Sequence, residues 1–209
     1  MIKLVLFLAS FLCVFVAPGF GAMVTFNTNS STLCVGSVAC SSQVQTVGGV
    51  TLTFVPNTGV TLNANPIAST SFGEIWLQCN DGSTTCAPEN LGAQNLVLSI
   101  VFTQTSPDSA TGSIDSTSIT GSIGGNSGFA QITWMTPSVM VGLSPITYTV
   151  VNSPLNLNSP ATSILQGANS LGPPGKTTIQ GTVNDVPEPS TYALIGGALL
   201  GLRILRRRS

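Results

Sequence analysis

The sequence predicts an all-β body, an antiparallel β-sandwich or jelly roll, flanked by an N-terminal signal peptide and a short C-terminal hydrophobic helix. Three observations predict the body. Its apolar residues recur with a period of two, as in Val50-Thr51-Leu52-Thr53-Phe54-Val55 and Ile146-Thr147-Tyr148-Thr149-Val150. Turn chemistry interrupts these runs at short intervals. Between the two ends, no stretch shows the 3.6-residue repeat of an amphipathic helix.

In chain order, strands are expected at Val24 to Thr28, Gln43 to Val47, Val50 to Val55, Gly59 to Leu62 and Glu74 to Gln78. They continue at Leu96 to Phe102, at Gly112 to Ile123 with a kink, at Ile132 to Met135, Ile146 to Val150 and Thr177 to Val183. Gly48-Gly49, Pro56-Asn57, Asp81-Gly82, Ser106-Pro107-Asp108, Gly124-Gly125-Asn126, Ser144-Pro145 and Gly172-Pro173-Pro174-Gly175 separate them. Leu96-Val97-Leu98-Ser99-Ile100-Val101-Phe102 is almost continuously apolar, which predicts a central strand buried on both faces. Many short strands at this spacing fit a sandwich better than a solenoid, although Gly112 to Thr117 and Thr120 to Gly125 are mildly repetitive.

The two ends obey different rules. Residues 1–21 have the form of a secretory signal peptide: the basic start Met1-Ile2-Lys3, an apolar run from Leu4 to Ala17, then Pro18-Gly19-Phe20-Gly21-Ala22. A cut after Gly21 places small Gly19 and Gly21 at the two positions that must be small, whereas a cut after Ala22 would put Phe20 at one of them. Cys13 lies mid-run behind bulky Leu12, which argues against a lipoprotein. At the other end, residues 187–209 begin with Pro187-Glu188-Pro189, whose prolines fix φ and bias the residue before each toward extended backbone. Tyr192 to Leu205 follow, fourteen residues that are apolar or small except for Arg203. As a helix they would reach about 21 Å, against a hydrocarbon core of about 30 Å, so the span is short for a permanent anchor. Arg206, Arg207 and Arg208 form a basic stop that holds its end on the cytoplasmic side.

Triplet, spacer, short span and arginine cluster together resemble the PEP-CTERM sorting signal of bacterial surface proteins. The resemblance is confined to the tail. It implies export, a transient stay in the inner membrane, and processing by exosortase, an integral-membrane protease-transferase. Exosortase and the secretion machinery are the partners it implies, and the cell surface or extracellular matrix is the destination. The expected organisation is therefore a signal peptide over 1–21, an exported domain over 22–186 and a sorting tail over 187–209.

The exported body excludes several function classes by composition. Lys176 is the sole basic residue of 22–186, against Glu74, Asp81, Glu89, Asp108, Asp115 and Asp185, which leaves a net charge of −5. Such a body cannot neutralise phosphates, so no nucleic-acid partner is expected. The chain has no histidine, which removes Ser-His-Asp and Cys-His arrangements and histidine-based metal sites. Lys176 sits in Gly-Lys-Thr-Thr, but Leu171 stands where a phosphate-binding loop needs glycine, and a loop lysine is the better account. Nothing in the spacing brings two of the carboxylates to the separation of about 5–9 Å that glycoside hydrolysis requires. Asn80 and Asp81, with Glu74 and Glu89 nearby, lack the alternating ligands of a calcium loop. Asn29-Ser30-Ser31 has the form of a glycosylation sequon, which the bacterial tail renders idle. The expectation is a non-enzyme without cofactor or metal.

Four cysteines remain once the leader has gone, and an even number in an exported chain argues for disulfides. Of the three connectivities, the local one is favoured, Cys34 with Cys40 and Cys79 with Cys86, because each pair brackets a turn-prone loop. Two functions stay open for the body. One is a non-catalytic surface or exopolysaccharide-matrix protein, the setting that the PEP-CTERM resemblance implies. The other is a carbohydrate-binding module that stacks extracellular polysaccharide on Trp76, Trp134 and Tyr148. Trp134 shares a face with Ile132, and Trp76 lies between Ile75 and Leu77, so core positions are favoured for both.

Overall fold

The alternation read from the sequence folds into two curled antiparallel sheets packed face to face. The computed structural model describes residues 22–36, 40, 42–80, 86–123, 129–143, 146–160 and 175–185. Fourteen strands are present among them: β1 (Met23–Asn27), β2 (Thr32–Val35), β3 (Val44–Val47), β4 (Val50–Pro56), β5 (Val60–Asn63), β6 (Ile67–Cys79) and β7 (Glu89–Asn90), then β8 (Leu96–Ser106), β9 (Ala110–Ile123), β10 (Phe129–Trp134), β11 (Ser138–Val141), β12 (Ile146–Val150), β13 (Leu155–Leu157) and β14 (Gly175–Asp185). The first sheet runs β13-β10-β9-β8-β1-β5, with β2 also on β8 and β7 also on β9. The second runs β11-β12-β14-β6-β4-β3. A 3-10 turn, Leu91–Gln94, leads into β8.

Alternation decides which side chains face inward. In β4, Val50, Leu52 and Phe54 are buried; in β12, Ile146, Tyr148 and Val150 are. Four rings join the sheets at the centre, Phe26 and Phe102 from the first, Phe72 and Tyr148 from the second. Phe102 stacks on Tyr148 with centroids 4.5 Å apart, and Phe72 meets Phe102 edge-on at 4.8 Å. These are the arrangements that ring quadrupoles favour. Gly181 of β14 makes room for this cluster, because a Cβ there would overlap the Phe72 ring.

Strand β8 corrects one expectation. It is central in its sheet, between β9 on one side and β1 and β2 on the other. It is not buried on both faces: Leu96, Leu98, Ile100, Phe102 and Gln104 point inward, while Val97, Ser99, Val101 and Thr103 are half-buried on the outside. Val97 and Val101 gain their partial cover from cross-strand neighbours, Cys34 and Ser113.

Two bulges shift the phase of the alternation. In β6, Thr178 and Gln180 of β14 pair with Glu74 and Ser71, so Phe72 and Gly73 together oppose one residue. Both are buried, and inward positions change from even to odd numbers across them. Gly73 takes φ of 134°, which side-chain-bearing residues rarely adopt. In β9, the kink expected from the sequence is a register shift around Thr117 toward both neighbours. Ser116 fills the gap in the ladder by accepting from the Leu98 amide at 2.8 Å.

Candidate functional site

The functional question centres on where the sorting tail leaves the body. Pro187, Glu188, Pro189, Arg206, Arg207 and Arg208, like the signal peptide over 1–21 and the expected C-terminal helix, lie outside the described residues. Among the described residues, no helix is long and apolar enough to cross a membrane. What the structure does describe is the exit. Strand β14 pairs with β6 along most of its length, is flanked by β12 as well over Gly181 to Asp185, and ends at Asp185. The Asp185 amide donates to the Pro66 carbonyl at 3.0 Å, and its buried carboxylate accepts from the Ala22 nitrogen at 2.6 Å. Ala22 is tied in turn by its own carbonyl, which accepts from the Ala64 amide at 3.1 Å. The first described residue and the last thus share one corner of the sandwich.

The remaining carboxylates among the described residues serve the fold. Glu74 accepts from the Trp76 indole nitrogen at 2.7 Å and Glu89 from the Gly49 amide at 2.9 Å. Asp115 accepts from the Ser99 hydroxyl at 2.5 Å and the Ser113 hydroxyl at 3.4 Å. Asp108 accepts from the Gln104 amide at 2.6 Å and from the Leu143 nitrogen, and Gly142 leaves room for it, since a Cβ there would overlap the carboxylate. Gln104 is fully buried and accepts in turn from the Tyr148 hydroxyl at 2.8 Å. Burial, with the Asp108 charge adding to it, pushes the Tyr148 phenol well above its usual range. Asn80 bonds Thr51 and the Gly48 carbonyl, and Asp81 lies outside the described residues. No three His, Cys, Asp or Glu side chains among the described residues gather in a metal-binding group.

Both disulfides pair locally, Cys34 with Cys40 and Cys79 with Cys86, with Cα atoms 5.1 and 5.5 Å apart. By loop entropy each stabilises by about 2–3 kcal/mol. They staple the ends of β2 and β6 to the chain that follows.

The three aromatic residues weighed as sugar platforms separate sharply, and the one that departs from the favoured core position is Trp76. Tyr148 is fully buried and Trp134 is 5 % exposed, its indole nitrogen donating to the Asn152 carbonyl at 3.1 Å. Neither offers a ring face to solvent. Trp76 alone lies on the outer face of the second sheet, half-buried, with the Lys176 ammonium 4.4 Å from its ring centroid. Lys176 stands in strand β14 directly across from Trp76, not in a loop, which is a further correction.

Residues 185–208 match the family model for the PEP-CTERM protein-sorting motif. The tail is a PEP-CTERM sorting motif. It implies an exported chain with exosortase as its processing partner. No curated protein matches the chain, and no solved structure does. The match begins at Asp185, the residue that closes the corner with Ala22. Sequence reasoning counted Asp185 only among the acids of the body. The available signal was its position, immediately before Val186 and the Pro187-Glu188-Pro189 triplet.

Proposed function

We propose that this is a non-catalytic protein of the cell surface or exopolysaccharide matrix, delivered there by exosortase through its PEP-CTERM tail. The observation that carries the reading is the sorting-motif match over residues 185–208. The body supports it as a passive, durable module. Its carboxylates among the described residues are engaged in the fold, two local disulfides staple it, and its surface relies on Ser, Thr, Asn and Gln rather than charge. Strand β14, paired on both sides, is a firm base for a tail that holds the body at the membrane.

In this reading the short span from Tyr192 to Leu205 is a temporary hold, with Arg206 to Arg208 inside and the triplet outside. Interior glycines weaken the span as a helix by about 0.5–1 kcal/mol each relative to alanine. Exosortase cuts at or near Pro187-Glu188-Pro189 and passes the body outward. Mass spectrometry of the protein from a host that carries the enzyme should show a C-terminus between Val186 and Pro189. Replacing Pro187, Glu188 and Pro189 together by alanine should leave the full-length form in the inner membrane. Surface-exported protein with Arg206-Arg207-Arg208 intact would defeat the proposal.

A further inference from the structure

We propose that Asp185 is a binding site for the α-ammonium group of Ala22, the group created when the signal peptide is cut after Gly21. The proposal rests on the export reading for its cut, and on the structure for its geometry. The Ala22 nitrogen already lies 2.6 Å from Asp185 Oδ2, and Asp185 is only 8 % exposed. Ala22 packs against the core, and its carbonyl is fixed by Ala64, so the nitrogen is held rather than passing by.

A carboxylate this buried calls for a cation or several donors. The body has a single cationic side chain, Lys176, which lies nine residues away along β14, about 30 Å in an extended strand. In the precursor the Ala22 nitrogen is an amide, which offers one neutral donor. Hydrolysis of the Gly21–Ala22 bond adds one water: Gly21 leaves with the new carboxylate, and Ala22 keeps an amine that is protonated at neutral pH. The neutral hydrogen bond then becomes a charge-assisted one, which is shorter and roughly twice as strong. Position matters. A cut after Ala22 would remove this nitrogen altogether and leave Met23, paired with Asn63, as the terminus.

The corner thereby records that the leader has gone, on the residue where the sorting motif begins. Leader removal locks the end of β14, so the first processing event firms the strand from which the second substrate segment emerges. The two ends of the exported chain become one ion-paired junction between the sheets.

The exported protein carries two amines, because Lys3 leaves with the signal peptide and the tail has no lysine. Its N-terminal sequence should begin at Ala22. Limited acylation followed by peptide mass mapping should then modify Lys176 readily, and the Ala22 amine about tenfold more slowly than in Asp185→Asn. Inserting one serine between Gly21 and Ala22 displaces the amine with Asp185 intact, and should restore fast labelling even if the Asn variant folds poorly. A terminus other than Ala22 overturns the proposal at its cleavage step. An Ala22 terminus whose amine labels equally fast in wild type, Asp185→Asn and the serine insertion overturns it at the docking step, leaving the export reading intact.

Discussion

The second sheet carries one hydrogen-bonded aromatic residue on each face, Tyr148 inside and Trp76 outside, and the two use similar chemistry to opposite ends. Each points a polar hydrogen toward an acid: Trp76 directly to Glu74, Tyr148 through the Gln104 amide to Asp108. Each has a partner against its ring, the Lys176 ammonium over Trp76 and the Phe102 ring on Tyr148. The difference is water. Around Tyr148 every unpaired group must do without solvent, so the network is an all-or-none part of the fold. Around Trp76 solvent can replace each partner, so the same contacts contribute little. Burial, more than residue type, decides that Tyr148 is structure while Trp76 stays at the surface of its sheet.

The largest test of that contrast is Gln104→Ala. It leaves the Tyr148 hydroxyl and the Asp108 carboxylate facing a void, combining lost hydrogen bonds with a cavity. Thermal unfolding of the exported protein should show a loss of about 3 kcal/mol, or roughly 6–12 °C in Tm for a domain of this size. A loss as small as that of a surface substitution, within about 0.5 kcal/mol, would show that the inner network is not the fixed element described here.

This network was invisible in the sequence for a physical reason. Gln104 falls two residues beyond the apolar run Leu96 to Phe102, where alternation places it inward but composition marks it as polar. Only the opposite sheet explains why a glutamine is wanted there. The fold itself was more legible. The period-two runs at β4 and β12, the kink in β9 and the sharing of a face by Ile132 and Trp134 are each set by local alternation, which the sheets preserve. The misses lie where alternation is too short or changes phase. Strands β2, β7, β11 and β13 hold only two to four residues each. The first half of β6 was lost because the bulge at Phe72 and Gly73 resets the inward face. For the site, the sorting motif of the tail was legible because such a signal is read as linear sequence. The corner of Ala22 and Asp185 was not, since residues so far apart in the chain meet only through β1 and β14.

Alkaline titration sharpens the contrast at intermediate size. The folded Tyr148 phenol is raised, by burial first and by Asp108 second, above the ordinary value near 10 that it regains on unfolding. The neutral phenol is the form that the folded state favours. Its contribution is therefore fully present below about pH 10 and is lost as pH rises beyond it, because the unfolded chain gives up this proton while the folded one retains it. Wild type should lose stability relative to Tyr148→Phe above about pH 10, with a slope approaching ~1.4 kcal/mol per pH unit. Parallel curves for the two proteins across that range would remove the buried phenol from the account.

The smallest expected effect belongs to the outer face, and it bears on whether this body binds sugar. Lys176→Gln removes the cation above Trp76 and should cost no more than about 0.5–1 kcal/mol, the range for cation–π pairs at exposed sites. The substitution also clears the ring face of Trp76, the one of the three candidate platforms that is not enclosed in the core. A lone indole lacks the second coplanar ring that gives a glycan platform its grip, so uncovering it should create no affinity. Tryptophan fluorescence titrated with the producer's own polysaccharide to millimolar sugar should stay unchanged in wild type and in Lys176→Gln alike. A saturable shift in either protein that Trp76→Phe abolishes would instead make Trp76 a binding residue, and the outer face would no longer be the inert one of the pair.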